Sequence, residues 1–374
     1  MKRKLIIIAL VGLLITVVIL SSRFLNLETE NDGKTQTITD LLGRKVDVPV
    51  KVDRVVGVAS GAVRMLTYLN ATDMIVGVED VETKKAITPY QFARPDLKDL
   101  PVIGPKHGGD AELIMVQQPD VIFHSCSQLE PATGGTMDDL QAKTGIPVVA
   151  IDLGDLGERR AVFEHTLRLM GNVLGKSDKA EKVISYIDGI LTDLDARTSN
   201  IPEDEKPSAY VGGVALRGAR EILSTRVDFP PFEYTNVNNV ASSAGTGHMF
   251  IDKEQLLAWD PDILFIDAMS YYLVVESINN DKAYSLLSAV VEDHIYIVMP
   301  YNSYNTNFAT MLANCYFVGS VVHPERFADV EPTAKADEIY ASMVGSPVYA
   351  QMEKEYHGFC KDRPRVTENL GGSI

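Results

Sequence analysis

His124 and Cys126 stand one residue apart at the end of an apolar run. On an extended chain that spacing turns both side chains to one side, offering a nitrogen and a sulfur to a soft metal or a haem iron. The rest of the sequence does not complete such a site. Zinc takes about four ligands, yet His107, His165, His248, His294, His323 and His357 show no His-x-x-x-His spacing. A buried cysteine beside a hydrogen-bonded histidine is the plainer reading, and no resident metal or cofactor is expected. Covalent catalysis finds no support either. No Gly-x-Ser-x-Gly elbow, Walker loop or Gly-x-Gly-x-x-Gly fingerprint occurs, and Gly108-Gly109 and Gly212-Gly213 are turn material. The chemistry to expect is binding.

Open parallel sheets gather ligands at the carboxyl ends of their strands. That rule selects Ser60, Gly61 and Arg64 after one strand, and His124, Ser125 and Cys126 after another. Further along it selects Arg217 and Arg220, then Tyr271 and Tyr272, then Tyr301, Asn302, Tyr304 and Asn305. Tyrosine combines flat apolar area with a polar tip, which suits a planar or chelating ligand, and arginine suits an anionic group. The plain alternative is that Tyr and Asn are ordinary loop residues and that Arg64 forms a surface ion pair of little value.

These residues are positioned by a chain that repeats itself. Asp110-Ala111-Glu112 leading to Pro119-Asp120-Val121-Ile122-Phe123 reappears as Asp252-Lys253-Glu254 leading to Pro261-Asp262-Ile263-Leu264-Phe265, every pair separated as Glu112 is from Glu254. Self-similarity of this kind implies two lobes of like construction. Each copy opens a helix with Asp at its cap and Glu in its first turn, then feeds a short buried strand. The fold class expected is α/β, two Rossmann-like lobes with parallel sheets. Ile38 to Pro49 reads as a hairpin turning at Leu42-Gly43-Arg44. A first lobe then spans 37–155 and a helical rod 156–200, where Ile187, Ile190, Leu191 and Leu194 keep helical spacing. A second lobe spans 201–374 with closing helices near its end.

The net charge of −16 and a pI near 4.9 exclude a nucleic-acid footprint, which needs a basic face. Residues 1–25 carry Lys2, Arg3 and Lys4 before an apolar run from Leu5 to Leu20, an export signal or membrane anchor. No Ala-x-Ala-like cleavage site follows, so an uncleaved anchor is expected, with residues 26–36 as a polar tether. Cys126, Cys315 and Cys360 are far apart, and no pairing is expected.

Hairpin, two α/β lobes, one rod between them and a Glu-led helix in each lobe together resemble the solute-binding proteins of ABC importers for iron-siderophores, haem and cobalamin. The resemblance covers about residues 37–360. Its motifs are Thr39-Asp40-Leu41-Leu42-Gly43-Arg44-Lys45-Val46, Arg54-Val55-Val56, Ile75-Val76-Gly77-Val78 and the two Glu-to-Pro-Asp segments. It implies a metal-chelate ligand held in a cleft between lobes that move little, an iron-siderophore before haem or a corrinoid. It also implies docking of Glu112 and Glu254 on a dimeric permease with ATPase subunits, by a monomer on the outer face of the cell membrane. Taken without the resemblance, each Glu only complements a helix dipole, worth about 0.3–1 kcal/mol. A membrane-anchored sensor or scaffold, or a hydrolase acting on a chelate, are the rival readings.

Overall fold

Each half of the chain builds a parallel sheet whose central strands are buried on both faces, as strands sandwiched between helices must be. The computed structural model describes residues 34–126 and 134–362. The expected anchor and most of the tether lie outside the described residues. A hairpin of β1 (Thr35–Thr39) and β2 (Lys45–Pro49) comes first. It is fastened to the first lobe by Arg44 Nη2, which donates to the Val148 carbonyl at 2.6 Å, and by Asp40, which accepts from the Ala150 amide at 3.2 Å.

The first sheet contains β3 (Val55–Val58), β4 (Ile75–Gly77), β5 (Val121–Cys126) and β6 (Val148–Asp152), in the order β4-β3-β5-β6. Helices α1 (Ala62–Tyr68), α2 (Pro89–Ala93), α3 (Ala111–Gln117) and α4 (Gly134–Thr144) connect it. The second sheet has β7 (Ser208–Gly212), β9 (Asn238–Asn239), β11 (Ile263–Asp267) and β12 (Ile295–Val298) in the equivalent order β9-β7-β11-β12. Strand β13 (Cys360–Asp362) adds antiparallel at its edge. A separate ribbon pairs β8 (Ser224–Arg226) with β10 (His248–Phe250); neither ribbon nor edge strand is long enough to leave a periodic signal in sequence.

The rod is two helices, α5 (Arg160–Val173) and α6 (Ser177–Thr198), divided at Gly175. At 22 residues α6 is about 33 Å long by helix geometry. It buries Ile187, Ile190 and Leu194 and half-buries Leu191, so the rod is packed along its length. The chain then continues through α7 (Pro230–Glu233), α8 (Lys253–Trp259), α9 (Tyr271–Asn280), α10 (Ser288–Val291) and α11 (Phe308–Val322). The closing helices α12 (Pro332–Val344) and α13 (Tyr349–Tyr356) do not stay on the second lobe. They pack against α1, α2 and α6, Lys85 pairs with Glu355 at 2.7 Å, and Tyr356 donates to the Ile87 carbonyl at 3.0 Å. One hydrophobic core therefore runs from the hairpin through both lobes.

The repeat has a local physical basis. Asp110 Oδ1 accepts from the amides of Glu112 and Leu113 at 2.9 and 3.0 Å, and Asp252 Oδ1 accepts from Gln255 at 2.7 Å, capping α3 and α8. Gln118 and Asp260 close the two helices at φ +49° and +40°. Asp120 Oδ2 then accepts from the amides of Asp53 and Arg54, while Asp262 Oδ2 accepts from the amide and hydroxyl of Ser208. Each Pro-Asp thus clamps the start of the neighbouring strand. Asp120→Ala and Asp262→Ala should each cost about 1 kcal/mol in urea unfolding. The double variant should lose their sum to within about 0.5 kcal/mol, because the clamps lie in different sheets; a double variant no weaker than one single would contradict independent clamps.

Candidate functional site

The lobes meet at a buried polar seam. Strand β3 is followed by Ala59, which takes φ +66°, and Gly61 opens α1 at φ +87°, where a Cβ would collide with Leu153. This turn directs Arg64 inward. It is only 1% exposed, and its guanidinium spans to the other lobe: Nη1 donates to the Thr306 carbonyl at 2.9 Å, and Nη2 to those of Ser303 and Tyr304, both at 2.9 Å. Its Cζ lies 5.3 Å from the Tyr90 ring centroid. Arg64 is a tie between lobes, and the surface ion pair is ruled out by its burial.

Glu79 completes the seam from the first lobe. It accepts from the amides of Ala59 at 3.1 Å and Gly108 at 2.8 Å, and from the Tyr304 hydroxyl at 2.5 Å. Burial, and after it that carboxylate, drives the Tyr304 phenol far above its ordinary range. His107 bonds Ser60 at 3.2 Å and lies 5.4 Å from Tyr304, ring to ring. Buried Glu82 accepts from Tyr90 and Gln91, and burial still raises its carboxyl above the usual range. The gripped segment is shaped for this role. Tyr304 and Asn305 both hold positive φ, Asn305 Oδ1 accepts from the Thr306 amide at 2.7 Å, and Asn307 Nδ2 donates back to the Tyr301 and Ser303 carbonyls.

Beside the seam lies a cavity of about 360 Å³ lined from both lobes. Asp155 to Glu158 enter from the first lobe, and Arg226, Asp228, Glu233, Tyr234, Tyr301 and Met311 are among those from the second. Tyr301 is 5% exposed and its hydroxyl has no hydrogen-bond partner among the described residues. A larger groove of about 960 Å³ belongs to the first lobe alone and is lined by Glu112, His124, Ser125 and Lys143 among others.

Of the strand-end residues, Ser60, Arg64, Tyr301, Tyr304 and Asn305 come together at the seam and the cavity. His124 and Ser125 are buried in the first-lobe groove; His124 is held below the ordinary histidine range by burial, and Cys126 is pushed up to about 11 by burial. Among the described residues no three His, Cys, Asp or Glu are placed to hold a metal ion. Arg217 is exposed at φ +54°, and Arg220 turns back onto the Leu216 carbonyl. Tyr271 and Tyr272 cluster with His357 at 4.6 and 5.5 Å, outside the cavity lining. Sequence reasoning missed Glu79, His107, Arg226, Asp228 and Glu233. Glu79 lies two residues past β4 and was open to the same strand-end rule; Arg226 ends β8 of the short ribbon and Asp228 lies just past it, where no such signal exists.

Among known proteins, a family model described as "Periplasmic binding protein" matches residues 55–301. The molybdate-binding protein MolA of Haemophilus influenzae is 23% identical over 324 residues, 81% of this chain and 89% of that one. Its molybdate-bound structure covers 83% of this chain and 98% of its own at TM-score 0.65 and 20% identity. A periplasmic solute-binding protein from Veillonella parvula matches at TM-score 0.68 and 20% identity over 86% of this chain and 96% of its own. Helicobacter pylori CeuE with Ni(II) bound matches at TM-score 0.57 and 16% identity over 86% of this chain and 99% of its own.

Two outcomes test the site's construction. Arg64→Met should destabilise the protein by about 3–5 kcal/mol, since the nearby carboxylates lose their compensating charge, and Tyr304→Phe by about 1–3 kcal/mol. Both act through one segment, so the double variant should fall short of the sum; strict additivity would contradict a shared tie. Asp267, which holds the Ala215 and Met269 amides at the end of β11, is pushed up to about 6 by burial. A raised carboxyl contributes its stability below the unfolded value and loses it as pH rises through about 6. Relative to Asp267→Asn, the wild type should lose about 2 kcal/mol between pH 4 and 7; parallel pH profiles would contradict the shift.

Proposed function

This chain belongs to the periplasmic binding protein family and is a substrate-binding component of an ABC importer, and we propose that its cargo is a metal chelate taken up between the lobes. The observation that carries this reading is the cavity of about 360 Å³ with walls from both lobes and an unpartnered phenol at its edge. Its size falls within the range of small-molecule sites, about 300–1,000 Å³. Phe308, Met311 and Tyr234 supply apolar wall, and carboxylates supply polar contacts. Because the described residues build no metal cage, an ion would arrive with its own ligands. The relatives' cargoes, molybdate for MolA and Ni(II) for CeuE, favour a metal-centred ligand. Within that class an iron-siderophore is put first, then haem or a corrinoid. Tyr301 is assigned to cargo contact, with Ser60 and Tyr304 shaping the seam beside it.

Glu112 and Glu254 are assigned to permease docking. Both are exposed and stand second in α3 and α8, at equivalent places on two like lobes, which suits a twofold acceptor through charge complementarity. Residues 1–25 are assigned to anchoring a monomer outside the membrane. Among the described residues no helix is long and apolar enough to cross a bilayer.

A thermal-shift screen of the protein against ferric siderophores, haem, cobalamin and free metal salts tests the cargo, since a ligand of the folded state raises Tm by mass action. A shift with one chelate and none with bare salts is expected; silence across the panel would count against the importer cargo proposed. Replacing Glu112 and Glu254 together by Ala should leave that shift intact and abolish stimulation of the importer's ATPase. Undiminished stimulation would remove both from docking.

A further inference from the structure

We propose that the cavity between the lobes selects a cargo presenting positive charge to it, a cationic metal complex in preference to a free oxyanion such as molybdate. This rests on the reading that the cavity holds the cargo. Its lining contains four carboxylates, Asp155, Glu158, Asp228 and Glu233, against one guanidinium, Arg226. That guanidinium is occupied: Nε lies 3.0 Å from Asp228 Oδ1 and Nη2 donates to Oδ2 at 3.2 Å. Asp155 Oδ1 is taken up by the Gly157 and Arg159 amides at 2.8 Å each. Glu158 and Glu233, one on each side, have no hydrogen-bond or ion-pair partner within the described residues.

No other arginine of the neighbourhood replaces the missing cation. Arg64 is committed to three carbonyls, Arg220 to Leu216, and Arg159 to Asp152. Arg217 has no hydrogen-bond or ion-pair partner among the described residues, but it lies outside the lining. Tyr301 points independently to a ligand here, because a phenol 5% exposed and unpartnered, under the charges of Arg226 and Asp228, awaits an acceptor or donor from cargo. Burial, and after it Asp228, holds the Glu233 carboxyl above its ordinary range despite Arg226. Glu158 and Glu233 are exposed at the rim of the cavity, and charges of one sign lining a cleft raise the local concentration of counter-ions there. A dianion would meet uncompensated carboxylates, whereas a cation would relieve them.

The test uses two substitution-inert octahedral complexes of opposite charge, hexaamminecobalt(III) and hexacyanocobaltate(III), with molybdate as a third probe. Each is titrated calorimetrically into the full chain at physiological salt, where exposed-surface attraction is largely screened. Hexaamminecobalt should bind at one site, at least tenfold more tightly than either anion. Glu158→Gln with Glu233→Gln should weaken it about tenfold with Tm unchanged. No hexaamminecobalt binding, or binding indifferent to that double variant, would overturn the inference. If an anion binds instead and Tyr301→Phe weakens it, the cavity holds cargo and the charge preference alone is wrong. If Tyr301→Phe leaves every probe unaffected, the cavity is not the site, and both readings fall together.

Discussion

A guanidinium buried to 1% exposure has to be satisfied, and the way Arg64 is satisfied organises the rest of the molecule. Three carbonyls from the opposite lobe accept from it, so the segment from Tyr301 to Asn307 is held in a conformation with two consecutive positive-φ residues. Such backbone persists only where its surroundings over-determine it. Glu79 adds the second grip through Tyr304 and in the same gesture fixes the Ala59 and Gly108 amides of its own lobe. Both lobes thereby present preset edges to the cavity between them.

That seam acts alongside a core without a break. The closing helices cross from the second lobe to lie on α1 and α2, and the rod buries one side of its length against its neighbours. Lobes coupled by a continuous apolar core and a polar tie differ physically from lobes hung on flexible strands, because hinge closure needs a few residues free to absorb a φ/ψ change. Cargo capture in such a scaffold is a matter of fitting a formed cavity. Preorganisation of this kind lowers the ordering cost of binding, and it leaves α3 and α8 in a nearly constant relation to one another.

The parts of this that were legible in sequence share a cause. Helix, cap, Pro-Asp and buried strand are local devices, and because Asp110, Gln118 and Asp120 do the same work as Asp252, Asp260 and Asp262, their repetition announced two α/β lobes. Tyr301, Tyr304 and Arg64 could be singled out in sequence because each lies just past a strand, where loops gather. What Arg64 does was not legible, since its partners are carbonyls some 240 positions away and a carbonyl has no signature in sequence. The acidic lining escaped for a related reason: Asp155, Asp228 and Glu233 are scattered along the chain and converge only when the rod folds the second lobe back on the first. Arg217 illustrates the converse, a residue type suited to an anion that the fold leaves in solvent.

Rigid coupling of the lobes is the claim on which the cavity and the seam both depend. It is tested most directly by a pulsed electron-paramagnetic distance measurement between nitroxides at Val116 on α3 and Leu286 on the second lobe, both well exposed, with and without cargo. The account predicts one narrow distance distribution that hardly moves on loading. Two populations in the free protein, or a large shift on loading, would show a hinged pair of lobes and contradict it.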